Sequence, residues 1–180
     1  GERISFAGGT GYHDHNWGTW RNVHWDWGTT STSEYGLFYG RVEHPEMRPG
    51  RSGSGVFVLL SQARQPGRRG GFLGLFRPED IAYEWREGPQ PGAAVRAPSS
   101  IEMQAAHEAT SDSLAPAEPD RIRVRMDVEG VMSNPPLSGE PDVLFLQLRG
   151  TYHVSARIAG RSIAFESPGS AEVPFPSSRP

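Results

Sequence analysis

The nine residues Arg121 to Glu129, RIRVRMDVE, alternate strictly between charged and apolar side chains. Side chains on a β-strand point alternately to the two faces of a sheet, so this period of two predicts a strand with one buried and one solvated face. The apolar set is Ile122, Val124, Met126 and Val128. Because antiparallel sheets commonly keep one face in water, the stretch indicates an antiparallel sheet.

The same alternation recurs on both sides of this stretch, between connections rich in glycine and proline. It predicts about ten short strands from Ile4 to Phe175, the first within residues 2–7 and the last two over residues 161–166 and 170–175. It also predicts a hairpin turn at Ala159-Gly160 and a break near Arg149-Gly150. No segment has a convincing helical period. We therefore expect one all-β domain over residues 1–175, a barrel or a sandwich, followed by a tail over residues 176–180.

Composition excludes several classes of function. The chain of 180 residues carries a formal net charge of −3, which does not suggest a nucleic-acid partner. It has no cysteine, which excludes disulfides, thiolate catalysis and cysteine-ligated metals. No apolar run reaches the length of a membrane span, and no glycine-rich loop opens a helix for a nucleotide cofactor. The compartment is left open.

Candidate chemistry concentrates between Gly8 and Gly28, GGTGYHDHNWGTWRNVHWDWG, which holds four of the five tryptophans. The repeated Trp-Gly-Thr fits two short strands that each finish at a glycine, Gly18 or Gly28, where a bend or a close backbone contact is possible. Alternation then divides the side chains of each strand between two faces. In the first strand one face carries His13, His15 and Trp17, and the other carries Tyr12, Asp14 and Asn16. In the second strand one face carries Trp25 and Trp27, and the other carries His24 and Asp26.

Three interpretations of these residues remain open. The His-x-His spacing can ligate a metal, but Asn16 and Trp17 follow where comparable sites use further ligands, so we expect no metal and no cofactor. A carboxylic acid in a tryptophan-lined pocket, with a histidine nearby, can instead protonate an unactivated alkene. The third interpretation is structural, with polar groups that satisfy the backbone and tryptophans that form a core.

The segments GTGYHDHNWG and WDWG resemble the carotenoid 1,2-hydratase (hydroxyneurosporene synthase) and AttH-like family. Tyr35 to Val42, YGLFYGRV, resembles the strand after the motif, and Gly150 to Glu172 resembles the closing hairpins of the family's second barrel. The resemblance covers most of the chain and implies an antiparallel lipocalin-like, calycin-type β-barrel of eight to ten strands. It also implies that this is the C-terminal barrel of a two-barrel protein, or that it pairs with a second barrel-like chain.

The resemblance further implies acid-catalysed hydration or cyclisation of a carbon–carbon double bond in a hydrophobic, isoprenoid-like substrate. Asp14 or Asp26 would donate the proton, with His15 or His24 as its partner. The expected ligand-binding residues are His13, Trp17, Trp25, Trp27 and Tyr39. The alternative is a non-catalytic carrier of a lipophilic small molecule, which needs the same apolar barrel.

One departure from the family concerns the strand after the motif. The hydratases carry an acid near the tyrosine of this strand, whereas here Tyr39 is followed by Gly40, Arg41 and Val42 before Glu43. Either Asp14 or Asp26 supplies the acid, or the hydratase activity is not retained.

Overall fold

A computed structural model describes residues 3, 5, 24–43, 55–64, 67, 69–78, 81–86, 97–106, 119–134 and 143–176. Within these ranges the chain forms nine β-strands and no helix. The strands are β1 (His24–Ser31), β2 (Tyr35–Glu43), β3 (Gly55–Gln62), β4 (Gly71–Phe76), β5 (Ala82–Arg86), β6 (Ala97–Ala106), β7 (Arg121–Asn134), β8 (Val143–Ile158) and β9 (Arg161–Pro176). No helix in the described ranges is long and apolar enough to cross a bilayer.

All nine strands belong to one antiparallel sheet in the order β4-β3-β2-β1-β9-β8-β7-β6-β5. Strands that are consecutive in the chain pair with each other, except β4 and β5, which form the two edges. The first and last strands pair over Trp27–Thr30 and Gly169–Glu172. The architecture is thus an up-and-down meander whose two ends are joined by the β1–β9 ladder.

The sheet curls until strands that are far apart in this order meet across the interior. Strands β2 and β5 are six places apart, which would separate them by about 29 Å in a flat sheet. Nevertheless Arg41 Nη2 on β2 lies 3.4 Å from the hydroxyl of Tyr83 on β5. The fold is therefore a lipocalin-like antiparallel β-barrel, in which no β4–β5 ladder joins the two edge strands in the described part of the sheet.

The inner face of the sheet forms one hydrophobic core. On β7 it contains Ile122, Val124, Met126 and Val128, each at most 2% exposed, as the alternation of RIRVRMDVE predicts. Strands β2, β3, β4, β6, β7, β8 and β9 all add buried apolar side chains to this core, while β5 adds the half-buried Tyr83. The largest buried side chains are Tyr39, Tyr152, Phe76, Leu37, Leu60, Ile101, Met126, Leu146 and Leu148. The buried polar side chains on the inner face include Asp26 and Thr30 of β1 and Ser167 of β9.

Several local expectations from the sequence are corrected by the strand bounds. Strand β1 continues through Gly28 to Ser31, so this glycine is not a bend. Strand β8 runs unbroken through Arg149-Gly150, because Gly150 fits against the backbone of β7 where that strand bulges between Val128 and Gly130. The strands expected near the C-terminus merge into the single strand β9.

The sequence also predicts the turn at Ala159-Gly160 and the structure at the two ends of the chain. The expected turn is confirmed, since Ala159-Gly160 connects the paired residues Ile158 and Arg161. The strand expected over residues 2–7 is not formed at Arg3 or Ser5, the described positions of that range. The expected first motif strand and the tail after Pro176 lie outside the described residues.

Candidate functional site

The polar part of the barrel interior begins on β1, whose inner face carries Asp26, Gly28 and Thr30. Register places Asp26 opposite Arg41 of β2 and Gly28 opposite Tyr39. Directly opposed residues on neighbouring antiparallel strands share a face and have Cβ atoms about 5 Å apart. The pairing of β1 with β2 therefore gathers a carboxylate, a guanidinium and a phenol on the inner wall.

Asp26 and Arg41 form an ion pair in which Arg41 Nε donates to Asp26 Oδ2 at 2.6 Å. The Asp26 side chain is 1% exposed and that of Arg41 is 19% exposed. Arg41 continues across the barrel to Tyr83, where its Cζ lies 5.5 Å from the centroid of the phenol ring. Asp26 therefore has a guanidinium as its hydrogen-bond donor on the inner wall of the barrel.

Tyr83 brings the edge strand β5 into this cluster. Burial raises the pKa of its phenol well above the ordinary value, and the negative charge of Asp26 raises it further, while Arg41 acts in the opposite direction. The phenol therefore stays neutral at physiological pH. In that state Tyr83 can offer a hydrogen bond but is a weak proton donor for catalysis.

Tyr39 and Tyr152 extend the cluster beneath β1. Burial is the main cause that raises the pKa of both phenols, and for Tyr39 the neighbouring Tyr152 adds to the effect. The Tyr152 hydroxyl donates to Ser170 O at 2.9 Å. The fully buried Tyr39 hydroxyl has no hydrogen bond of acceptable geometry to any described residue. The hydroxyl of Tyr152 is nevertheless close enough to affect the pKa of Tyr39.

Two glycines make room for these tyrosines. A Cβ atom at Gly28 would collide with the Tyr152 hydroxyl and with Cε1 of Tyr39, and would lie 2.8 Å from Tyr39 Cζ. A Cβ at Gly169 would lie 2.6 Å from Cδ2 of Tyr152 and would also collide with the backbone oxygen of Thr29. Of the two roles that the sequence left open for Gly28, close contact is thus the one observed.

The two tryptophans of β1 lie on the opposite, outer face of the sheet. Trp25 stacks on Phe145 with ring centroids 4.6 Å apart, and its Nε1 donates to Glu172 Oε1 at 3.1 Å. Trp27 is also half-buried and lies 6.2 Å from the ring of Phe38. The alternation within WDWG is therefore confirmed, and it separates both indoles from the space that Asp26 and Tyr39 line.

The structure describes no side chain of the remaining expected site residues. His13, Asp14, His15 and Trp17 lie outside the described residues, and His24 is described only by its backbone, which pairs with Glu43. In the described ranges, no three His, Asp or Glu side chains converge in a way that would hold a metal ion.

Sequence reasoning missed Arg41, Tyr83 and Tyr152 as members of the cluster. Arg41 was detectable, because it lies two residues after Tyr39 and so shares its face. The sequence alone does not reveal the position of Tyr83, because β5 meets β2 only when the sheet curls. Tyr152 reaches the cluster through the β8–β9 and β1–β9 ladders, and the second of these pairs residues far apart in the chain.

Comparisons with protein-family models, with curated proteins and with solved structures found no match to the chain. The fold and the inner-face cluster therefore define the class: a lipocalin-like β-barrel whose apolar interior contains a carboxylate–guanidinium pair and three buried or half-buried phenols.

Proposed function

We propose that the protein holds a hydrophobic, isoprenoid-like molecule in the barrel and catalyses acid-dependent hydration or cyclisation of one of its carbon–carbon double bonds. The observation that carries the proposal is the position of Asp26, which is 1% exposed on the inner wall and bound to Arg41. The resemblance of GTGYHDHNWG, Gly9 to Gly18, and of WDWG to the carotenoid hydratases gives the reaction class.

The ion pair favours chemistry over simple storage of a lipid. Burying two charges is expensive, and a well-packed apolar pair is often as stable or more stable. A barrel that only enclosed a hydrocarbon would gain nothing from Asp26 and Arg41. Their position beside the buried hydroxyl of Tyr39 suits a site that handles protons and water.

Asp26 and Asp14 take different roles in this proposal. Asp14, supported by His13, His15 or His24, adds a proton to the double bond and leaves a tertiary carbocation. Water held by Tyr39 attacks the cation, and the Asp26 carboxylate accepts the proton that the water loses. In cyclisation a second double bond of the same substrate attacks instead, and Asp26 removes a proton from carbon. Trp17 would stabilise the cation through its ring.

The second candidate is a carrier of a lipophilic molecule. The observation in its favour is the inner wall away from Asp26, where buried aliphatic side chains such as Leu37, Leu60 and Val124 offer only apolar contact. Both candidates share the same class of hydrophobic small-molecule partner, and both are compatible with a second barrel in the functional protein.

Incubation with acyclic carotenoids in heavy water tests the reaction. Deuterium beside a new tertiary alcohol supports hydration, and a deuterated ring supports cyclisation. Asp26→Asn should lower turnover by about 10²-fold or more, as expected for a lost acid–base group. Glu129→Gln, an exposed outer-face change, should leave turnover unaltered.

Binding is measured separately by quenching of tryptophan fluorescence, and circular dichroism checks the fold of each variant. The double variant Asp26→Leu/Arg41→Met removes both charges together, so its activity can be tested without an unbalanced buried charge. Reversible binding of the polyene with no product from any substrate would reject the enzyme and leave the carrier. Full turnover in the double variant would contradict the role of Asp26.

A further inference from the structure

The β3–β4 hairpin carries a local excess of positive charge. Between Met47 and Pro78 the chain contains six of its 18 basic residues and no acidic residue, although its net charge is −3. Three of these arginines, Arg64, Arg68 and Arg69, fall between β3 and β4. The structure describes Arg64 and Arg69, and both are exposed. The turn of the hairpin therefore concentrates guanidinium groups at one end of the barrel.

The backbone of this turn brings Arg64 and Arg69 close together. A Cβ atom at Gly70 would lie 2.6 Å from Arg64 N and 3.0 Å from Gln62 O. Gly70 directly follows Arg69, and its lack of a side chain lets the two arms of the turn approach this closely. Arg64 and Arg69 therefore lie beside each other at the tip of the hairpin.

The outer face of the same hairpin is apolar next to the arginines. Leu75 pairs with Leu59, which pairs in turn with Phe38 on the outer face of β2. Phe72 lies nearer the turn and is opposite Ser61. The side chains of Phe72 and Leu75 are 61% and 37% exposed. Two large apolar side chains therefore stand in water on β4, which is an edge strand of the sheet.

Acidic residues also lie at this end of the barrel, but they do not neutralise the turn. Glu34, which is exposed in the β1–β2 turn, accepts a backbone hydrogen bond from Ala63 N at 2.7 Å. Asp120 belongs to the β8–β9 turn, where its Oδ1 accepts from the amide of Ala159. In the described part of the chain neither carboxylate pairs with Arg64 or Arg69. One acid beside the arginines leaves the hairpin with an excess of positive charge.

We propose that this surface, which we call the basic hairpin and define by Arg64, Arg69, Phe72 and Leu75, docks on a membrane that contains anionic lipids. The arginines are attracted by the negative surface of such a membrane. Phe72 and Leu75 leave water by entering the boundary between headgroups and acyl chains. The two apolar side chains decide between polyanions, because a nucleic acid offers no hydrocarbon layer for Leu75.

Docking by the basic hairpin places the edge strand β4 against the lipid. The sheet is not closed by a ladder between β4 and β5 in the described ranges, so this seam of the barrel faces the bilayer. An enzyme and a carrier both take up a lipophilic molecule, and a bilayer is where such a molecule dissolves. The inference goes beyond the proposed function and is tested without any substrate, so it does not depend on the reaction.

Flotation of the protein with vesicles measures docking. Mixed phosphatidylcholine–phosphatidylglycerol vesicles should bind the protein, and pure phosphatidylcholine vesicles should bind it far more weakly. Added salt should weaken binding, because it screens the attraction between exposed charges. Arg64→Gln and Arg69→Gln should each weaken binding about fivefold, as expected for one basic side chain at an anionic surface. Phe72→Ser should weaken it about tenfold, because an apolar side chain no longer leaves water.

Two exposed residues elsewhere on the barrel provide matched controls. Arg149→Gln removes one exposed arginine from β8. Met132→Ser removes a large apolar side chain that is 57% exposed, near the end of β7 that lies away from the β3–β4 turn. Both controls should bind like the unaltered chain, and circular dichroism checks the fold of every variant. An equal loss in Arg149→Gln would reveal general charge attraction and overturn the proposal.

An environment-sensitive dye tests whether the hairpin enters the membrane. The chain has no cysteine, so Leu75→Cys carries a single dye at the basic hairpin, and Met132→Cys carries it at the control position. Emission from position 75 should shift to the blue with anionic vesicles, and emission from position 132 should not. Vesicle binding without this shift, or no binding to anionic vesicles, would overturn the proposal. A shift that depends on protein concentration without vesicles would identify a second copy of the chain as the partner and would also overturn it.

Discussion

Asp26 and Arg41 face each other across the β1–β2 ladder, two residue pairs away from Gly28 and Tyr39. The strand of Tyr39 carries Arg41 two residues after that tyrosine, and the neighbouring strand places a carboxylate opposite the arginine. A carboxylate therefore lies near the tyrosine, although it comes from a different strand.

The ion pair should be needed for stability as a pair. Arg41→Met leaves a buried carboxylate without its guanidinium, and we expect the free energy of unfolding to fall by about 3 kcal/mol. The double variant Asp26→Leu/Arg41→Met should recover most of this loss. Urea denaturation measures both. A double variant that is no more stable than the single one would show that the charges do not act as a pair.

Gly28→Ala should destabilise the barrel by about 1–3 kcal/mol, because the added methyl group collides with Tyr39 and Tyr152. Gly71→Ala is the control, since a Cβ there meets no atom within 4 Å. Thermal unfolding of the two variants provides the comparison. Removing the Tyr152 hydroxyl with Tyr152→Phe in the Gly28→Ala background should restore part of the lost stability. Equal destabilisation by Gly28→Ala and Gly71→Ala would contradict the close contact.

Three phenols should make the protein sensitive to alkali. The pKa values of Tyr39, Tyr83 and Tyr152 are raised in the folded state, so the unfolded chain loses these protons first as the pH rises past about 10. Their contribution to stability is complete below that pH and is lost above it. The decline should approach about 4 kcal/mol per pH unit for three phenols.

Urea denaturation at a series of alkaline pH values measures this decline. Absorbance at 295 nm should show that these tyrosinates form together with unfolding. Tyr39→Phe should reduce the slope by about one third, since one of three protons is removed. An unchanged slope in this variant would contradict the assignment.

The β8–β9 hairpin contains a strained residue. Ala159 has a φ of 48°, and the following Gly160 has a φ of 74°. A turn with two positive φ angles favours Asn-Gly, because asparagine tolerates the left-handed region better than alanine does. Ala159→Asn should therefore raise the free energy of unfolding by about 0.5–1 kcal/mol. Ala159→Val, measured by the same denaturation experiment, should lower it.

The sequence predicted the fold class because the evidence for it is local. Alternation in RIRVRMDVE and the turn at Ala159-Gly160 depend on neighbouring residues alone, and both are confirmed. The length of β8 could not be predicted, since the bulge that Gly150 accommodates belongs to another strand. A glycine in isolation does not reveal whether it ends a strand or makes room for a neighbour.

The candidate site was less accessible to sequence reasoning for a related reason. Alternation correctly separated Asp26 from Trp25 and Trp27, but only burial identifies which set faces the interior. Both tryptophans of the WDWG segment, Trp25 and Trp27, lie on the same face, and that face is on the outside of the barrel. The partners of Asp26 come from β2 and β5, which local pattern does not connect.

The β1–β9 ladder joins two meanders, β1–β4 and β5–β9, and within each meander consecutive strands pair with each other. Its partners, such as Gly28 and Ala171, are separated by most of the sequence, so closing it carries the largest loss of chain entropy. Tyr152 reaches over Gly169 and Gly28 at this junction. We therefore expect the two meanders to form first and to dock late in folding, with the phenol of Tyr152 stabilising the finished barrel more than the route to it.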